Sequence, residues 1–233
     1  MTYDPIAPFY DTFNGDFSHS DYLSEIEKFL KPYVTFPFGD CAALDCGCGT
    51  GELTRLLAAK GFDCTGVDIS PAMLSEAAAK DDLGNCRFVI QSLPEIDMFR
   101  AYDLVTCCLD TVNHLFPDDL AEFFSRIYNF TENGGFFVFD TKTRDEFIRR
   151  SNSATYGTED AELFYKGSFR QPVMTTRLRL ETDEGRSETE IKEYFYTNRQ
   201  IKRMIASTPF VYIGRFSYNR GERTVFVCRK NQQ

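Results

Sequence analysis

The sequence predicts an α/β protein with a doubly wound, mostly parallel sheet and an antiparallel β insertion. Between residues 42 and 140, short runs that are nearly all apolar alternate with helical patterns, as in a parallel sheet covered by helices on both faces. From residue 163 polar and apolar residues alternate, which indicates antiparallel strands. A chain of 233 residues is long enough for one large domain, or for one domain that carries an insertion.

The chain opens with two segments ahead of the first strand. Residues 1–17 mix aromatic side chains with Pro, Asp and Gly, and indicate an ordered arm or lid more than a helix. Residues 18–34 have apolar side chains at helical spacing and predict a helix. Residues 36–41, with Pro37 and Gly39, predict a turn.

Five strands and three helices then alternate. The strands are predicted at residues 42–46, 65–69, 87–91, 102–109 and 135–140. The helices are predicted at 52–60, 71–80 and 118–129. Gly61 is placed as the C-cap of the first helix, and Ser70 and Pro71 can begin the second.

The last third of the chain has a different pattern. Residues 163–197 form alternating runs separated by a turn at 183–185, so 143–198 is interpreted as an antiparallel insertion. A helix at 197–207 and a hairpin of strands 211–218 and 224–228 follow. Six aromatic residues of the insertion either wall an acceptor pocket, or form its own small core or a dimer contact: Tyr156, Phe164, Tyr165, Phe169, Tyr194 and Tyr196.

The charge of the chain is negative and uneven. The formal net charge is −9, and an acidic surface repels phosphate backbones, so broad nucleic-acid binding is disfavoured. The first 142 residues carry 9 basic and 23 acidic side chains, whereas residues 199–233 carry 8 and 1. This basic segment either packs against the acidic body or forms a local anion-binding face.

The eight cysteines and two histidines do not form a metal signature. No C-x-x-C pair is present, so no metal site is expected, and most of the cysteines sit in apolar runs as small buried residues do. Asp4 and Pro5 interrupt any apolar start, and no apolar stretch approaches 18 residues. The sequence therefore predicts a reduced, cytoplasmic protein without a signal peptide or membrane span.

The segment ALDCGCGTGELT, residues 43–54, carries the clearest chemical signal. It places glycines at the carboxyl end of the first strand, where open α/β sheets have their ligand crevice. Its G-x-G-x-G spacing, with Asp45 two residues ahead, differs from the G-x-G-x-x-G of dinucleotide sites and suits a phosphate-free ligand with a cationic amine. Asp68 follows Gly47 by 21 residues, where a carboxylate can accept hydrogen bonds from ribose hydroxyls. Each feature alone also fits a tight turn or a helix cap.

Three motifs in order give a family resemblance. D-x-G-x-G-x-G at 45–51, V-D-x-S-x-x-M-L at 67–74 and GGFF at 134–137 resemble the class I S-adenosylmethionine-dependent methyltransferases, over 40–142 and 198–230. The resemblance implies a seven-stranded Rossmann-like sheet with its last strand antiparallel. Residues 1–142 and 199–233 would form the cofactor-binding core with its arm, and 143–198 a substrate lid. The subgroup it resembles most is small-molecule methyltransferases with a β insertion after the fifth strand.

The resemblance also implies S-adenosylmethionine as cofactor and assigns residues to it. Asp45 and the first glycines would face the methionine end, Asp68 the ribose, and residues after the second and third strands the adenine. Leu109 would lie near the sulfonium and Tyr10 would cover it. The expected cofactor residues are Tyr10, Asp45, Gly47, Cys48, Gly49, Gly51, Asp68, Ile69, Met73, Gln91, Ser92, Leu93 and Leu109. Gln91 departs from the Asp that the superfamily more often has.

Methyl transfer from a sulfonium needs no covalent nucleophile, and none is evident. His114 is the best base, because it follows the fourth strand on the cofactor edge and titrates in a useful range. Asp110 is a candidate for binding a cationic acceptor or the cofactor. Each of these two residues also has a purely structural interpretation, in which His114 caps the following turn or packs structurally and Asp110 caps a short helix.

The predicted function is methyl transfer to a small soluble acceptor by a monomer or homodimer. Three alternatives remain open. The basic segment 199–233 would serve a tRNA or rRNA methyltransferase. The same topology also hosts nicotinamide oxidoreductases, which the glycine spacing argues against. A non-enzymatic, cofactor-binding module is the third alternative.

Overall fold

The computed structural model describes residues 3–13, 17–34 and 40–231. Eleven strands of these residues form two sheets. The large sheet contains β1 (Ala42–Cys46), β2 (Asp63–Asp68), β3 (Cys86–Ile90), β4 (Tyr102–Cys107), β5 (Thr131–Lys142), β10 (Val211–Tyr218) and β11 (Arg223–Arg229). The small sheet contains β6 (Ser153–Gly157), β7 (Ala161–Arg170), β8 (Val173–Thr182) and β9 (Gly185–Tyr194).

The large sheet confirms the predicted topology. Its strand order is β10-β11-β5-β4-β1-β2-β3. Neighbours among β1 to β5 run parallel, whereas β11 is antiparallel to both β5 and β10. The chain winds outward in one direction from β1 to β3 and in the other from β4 to β5. The last strand, β11, then lies between β5 and β10. The carboxyl ends of β1 and β4 therefore flank the switch point at which such sheets bind ligands.

The α-helices of the described residues are α1 (Tyr10–Phe13), α2 (His19–Leu30), α3 (Glu52–Ala59), α4 (Pro71–Ala79), α5 (Thr111–His114), α6 (Asp119–Phe130), α7 (Arg144–Arg149) and α8 (Asn198–Ala206). The longer ones cover both faces of the large sheet, whereas α1 and α7 pack against the insertion. Apolar residues of α2 and α3 share one buried cluster with Phe136 and Val138, and those of α6 and α8 share another with Phe137 and Phe139. Successive residues of β5 thus enter opposite cores, which explains its continuous apolar run.

The predicted arm is helical, which corrects the expectation for residues 1–17. Asp4–Phe9 forms a 3₁₀ helix that leads into α1. Pro5 fits the first turn because proline lacks a backbone N–H, and an N–H at that position would have no helical partner. A helix this short shows no readable periodicity in the sequence. Residues 1–2 and 14–16 lie outside the described residues, as does most of the turn predicted at 36–41.

The insertion is antiparallel, as expected, and its strands begin before residues 163–197, where the sequence alternates most clearly. The pairing of β8 with β9 across residues 183–184 confirms the predicted turn, whereas β6 and α7 had no recognised signal. The inner face of the small sheet buries Leu163, Leu178 and Ile191 against Ile6 of the arm. Arm and insertion therefore share one apolar cluster. Within the described ranges, no helix is long and apolar enough to cross a membrane.

Candidate active site

A cavity of about 440 Å³ opens at the switch point of the large sheet, where β1, β2 and β4 end. Asp110 and His114 both line it. Nine of the expected cofactor residues also line it: Tyr10, Gly47, Gly49, Asp68, Ile69, Met73, Ser92, Leu93 and Leu109. The sequence motifs, which lie up to a hundred residues apart, thus meet around one hollow.

The three glycines of the turn after β1 serve different purposes. All three adopt positive φ, at +70° for Gly47, +54° for Gly49 and +77° for Gly51. A Cβ on Gly47 would collide with Thr111, and one on Gly51 with Phe88, whereas one on Gly49 would meet nothing within 4 Å. Only Gly49 therefore presents open backbone to a ligand. Gly51 does not line the cavity, and its lack of a side chain is explained by packing.

Asp68, at the end of β2, connects the ends of β1 and β2. Its Oδ2 accepts the Gly49 N–H at 2.9 Å, and its Oδ1 accepts the Ser70 N–H at 2.9 Å. Ser70 caps α4 as predicted, because its Oγ accepts the Met73 N–H. Burial raises the pKa of Asp68, although the backbone donors oppose that shift. Each carboxylate oxygen has a further lone pair, so Asp68 can still accept hydrogen bonds from the cavity.

Asp45 and Cys48 lie beside the cavity, in a recess of about 50 Å³ under Tyr10. The Asp45 carboxylate is buried and accepts the hydroxyls of Thr54 and Thr106, both at 2.7 Å. Burial raises its pKa to about 6 against these two hydrogen bonds. The carboxyl group expected at the methionine end is therefore already bonded on both oxygens.

Gln91 lies at the end of β3 but does not line the cavity. Its amide nitrogen donates to the Asp97 carbonyl, and its amide oxygen accepts the Asp97 N–H, each at 2.8 Å. The side chain closes the loop between residues 91 and 97. Ser92 and Leu93, the next two residues, face the cavity in its place.

The backbone after β4 is strained where it borders the cavity. Leu109 and Asp110 have φ of 57° and 77°, a region that residues other than glycine rarely adopt. Asp140 of β5, which is fully buried, stabilises this turn by accepting the Leu109 N–H at 2.9 Å and the Asp110 N–H at 3.2 Å. Tyr22 of α2 donates its hydroxyl to the same carboxylate at 2.7 Å. Asp140 was not among the expected site residues.

Asp110 belongs to a buried chain of charges. Its Oδ2 lies 2.7 Å from Lys142 Nζ, which in turn lies 2.6 Å from Glu193 Oε1, and Arg223 contacts its other oxygen. Burial favours the neutral acid, yet the cations Arg223 and Lys142 hold the pKa of Asp110 well below its usual range. Asp110 is therefore neither a base nor a free partner for a cationic acceptor, and its side chain does not cap α5.

His114 lies at the end of α5 and is partly exposed to the cavity. Its Nε2 is 3.3 Å from the Tyr3 hydroxyl and 4.0 Å from Glu193 Oε1. The buried Asn113 positions α5, since its Nδ2 donates to the Tyr194 carbonyl at 2.8 Å and its Oδ1 accepts the Lys142 N–H at 2.9 Å. The imidazole thus lies at the cavity wall, with a tyrosine hydroxyl and a carboxylate near its Nε2.

Comparison with known proteins agrees with this geometry. The family model described as "Methyltransferase domain" matches residues 43–135. "Putative methyltransferase GWCH70_2453" of Geobacillus sp. (strain WCH70) is 34% identical over 168 residues, which cover 71% of this chain and 67% of that protein.

Two solved structures share the fold over nearly the whole chain. An S-adenosylmethionine-dependent methyltransferase from Clostridium acetobutylicum ATCC 824 superimposes with a TM-score of 0.84 at 24% identity, covering 98% of this chain and 99% of the other. The sugar N-methyltransferase KedS8 from Streptoalloteichus sp ATCC 53650 gives a TM-score of 0.77 at 18% identity, covering 100% and 94%.

The chain belongs to the class I S-adenosylmethionine-dependent methyltransferases. Its methyl donor is S-adenosylmethionine, which confirms the expected cofactor. The open backbone at Gly49 and the spare lone pairs of Asp68 fit a nucleoside without phosphates. Two of the alternative functions, a nicotinamide oxidoreductase and a non-enzymatic cofactor-binding module, are therefore wrong.

Proposed function

We propose that this enzyme methylates a small molecule bound in a second cavity, which adjoins the cofactor cavity. The second cavity measures about 340 Å³, within the range of small-molecule sites. The observation that carries the proposal is the shared wall, to which Tyr3, Tyr10, Asp110 and Ile191 contribute in both cavities. An acceptor in the second cavity can thus reach a methyl group in the first.

The cofactor would occupy the first cavity as the sequence motifs suggest, with Asp68 on the ribose hydroxyls and Gly49 near the methionine end. Ile69 supports this placement, because it is a large apolar side chain that is 53% exposed at the cavity and would be covered by an adenine. When bound, the cofactor supplies an electrophilic methyl group. Holding the acceptor in line with that group and excluding water would provide most of the rate.

The arm and the insertion would exclude water from the reacting atoms. Acidic residues fasten the arm over the glycine turn and α4, since Asp11 accepts hydrogen bonds from Thr50 and Lys80 at 2.7 and 2.8 Å. The insertion sheet packs on the other side of the arm through the cluster around Ile6. Residues 143–198 would thus act as a substrate lid that closes the second cavity.

His114 would act as the base. In the transfer, an acceptor lone pair forms the bond to the methyl carbon while the carbon–sulfur bond breaks. That bonding pair remains on sulfur, which leaves S-adenosylhomocysteine. The acceptor proton passes to the imidazole of His114, and the Glu193 carboxylate 4.0 Å away stabilises the cation that results.

An RNA acceptor fits the structure less well. Four of the eight basic residues in 199–233 make internal side-chain contacts: Lys202 over the Tyr212 ring, Arg223 in the buried charge chain, Arg229 to the Gly134 carbonyl, and Lys230 to the Tyr128 and Thr131 carbonyls. This supports the interpretation that the basic segment packs against the acidic body.

The function is tested with methyl-labelled S-adenosylmethionine and two acceptor pools, a low-molecular-weight metabolite extract and purified total RNA. We expect label in a small product from the extract and none in RNA. Calorimetry with S-adenosylhomocysteine provides the control that the cofactor site is intact. Tight cofactor binding with label only in RNA, or in neither pool, would contradict a small-molecule acceptor.

Replacing His114 by Gln tests the base. We expect kcat/KM with the acceptor found in the extract to fall about 100- to 10,000-fold, because general base catalysis is lost. Affinity for S-adenosylhomocysteine should stay within about threefold, because the amide still fills the wall position. His19→Gln is the matched control. A His114 variant with normal kcat/KM would show that the residue only packs.

A further inference from the structure

The second cavity is lined by two arginines that the cofactor cavity does not share. Arg149 and Arg150, at the end of α7, line the second cavity but not the first. Apolar side chains of the insertion and the arm also line it, among them Leu163, Leu178 and Phe13. The second cavity thus combines apolar walls with two guanidinium groups, and Arg150 is close enough to Asp110 of the shared wall to interact with it electrostatically.

Arg150 is held firmly in place yet keeps free hydrogen-bond donors. Its Nε donates to Oε1 of the buried Glu146 at 2.5 Å, and its backbone carbonyl accepts the Tyr165 hydroxyl at 2.7 Å. In the part of the chain that the structure describes, no side chain or carbonyl accepts a hydrogen bond from its two terminal nitrogens. Arg149 differs, because its terminal nitrogen already contacts both Glu146 and Glu222.

The two carboxylates that line the second cavity, Asp110 and Glu193, are ion-paired with other cations, Asp110 with Lys142 and Arg223 and Glu193 with Lys142. Asp110 also attracts Arg150 electrostatically, without a hydrogen bond to it. Glu146 is shared between Arg149 and Arg150. Among the described residues, the terminal nitrogens of Arg150 therefore have no hydrogen-bond acceptor, and a guanidinium donates in a planar fork that fits a carboxylate or a phosphate.

We infer that the methyl acceptor carries an anionic group, a carboxylate or a phosphate, which Arg150 binds. This inference rests on the proposed function and adds the substrate class to it. The nucleophile is a separate group of the acceptor, and it lies at the wall to which Tyr3 and Tyr10 contribute. The anionic group is not the methylated one, so the product keeps its negative charge.

The test separates the labelled products of the metabolite extract on an anion-exchange column at neutral pH. We expect the labelled product of the wild-type enzyme to be retained. Phosphatase treatment of the extract before the reaction distinguishes the two sources of charge, because it abolishes retention for a phosphate and leaves a carboxylate unaffected. A labelled product that flows through the column would overturn this inference and leave the proposed function standing, whereas no labelled small product would overturn both.

Variants assign the anion to Arg150. With the retained acceptor at limiting concentration, Arg150→Gln should lower kcat/KM about 10- to 100-fold, the loss of a charge-assisted hydrogen bond. Arg150→Lys keeps the charge without the fork and should recover part of that loss. Arg170→Gln, an exposed arginine of the same insertion that lines neither cavity, is the matched control. Affinity for S-adenosylhomocysteine reports folding in each case, and normal kcat/KM in a folded Arg150→Gln enzyme would contradict the assignment.

Discussion

Replacing Asp68 by Ala is expected to weaken the binding of S-adenosylhomocysteine by at least about 100-fold. The carboxylate would lose charge-assisted hydrogen bonds to the ribose hydroxyls, each of which contributes about 1.5–3 kcal/mol. It would also release the Gly49 N–H that it holds at 2.9 Å, so the open glycine turn would lose its anchor. Calorimetric titration of both enzymes measures the difference directly.

Two comparisons separate ribose binding from support of the turn. Asp82→Ala, at an exposed aspartate in the turn after α4, should bind S-adenosylhomocysteine like the wild type. The 2′-deoxy analogue should bind the wild type more weakly than S-adenosylhomocysteine does, and Asp68→Ala should no longer distinguish the two ligands. If the variant still discriminates between them, Asp68 supports only the backbone, and the ribose is held elsewhere.

The residues that the sequence predicted well are those whose neighbours are close in the chain. The apolar runs of β1 to β5 identify buried strands. Because the carboxyl ends of parallel strands meet at one edge of the sheet, Gly49 and Asp68 are expected to lie close together. Ser70 capping α4 is likewise a local event that the sequence states directly. Such features follow from the periodicity and chemistry of a few adjacent residues.

The properties that the sequence did not reveal depend on contacts between distant segments. Asp110 is neutralised by Arg223, which lies 113 positions away, and no spacing rule connects the two. Gly47 lacks a side chain because Thr111 occupies that space, not because a ligand does. The open terminal nitrogens of Arg150 are recognised only once Glu146, which accepts from Nε, and the cavity are placed around it. These are properties of the packed structure, which single-sequence patterns do not encode.

Replacing Lys142 by Met should lower the free energy of unfolding by about 3–5 kcal/mol, the usual cost of leaving a buried charge without its partner. Lys142 is 4% exposed, and its ammonium group lies between the carboxylates of Asp110 and Glu193 at 2.7 and 2.6 Å. Met matches its length and apolar stem, so the variant removes charge with little change in packing. Denaturant unfolding followed by circular dichroism measures the loss.

The second substitution shows which carboxylate causes the destabilisation. Asp110 keeps Arg223 when Lys142 is lost, whereas among the described residues Glu193 keeps no cation within salt-bridge distance except a protonated His114 at 4.0 Å. Glu193→Gln in the Lys142→Met background should therefore recover much of the stability. Asp110→Asn in that background should lower it further, because Arg223 would keep only the longer contact with Asp140, at 3.5 Å. Lys28→Met, which breaks an exposed pair with Glu25, should leave the unfolding midpoint nearly unchanged. If Lys142→Met unfolds at the wild-type midpoint, water must reach the chain of charges, and the burial ascribed to Lys142 and Glu193 would not hold.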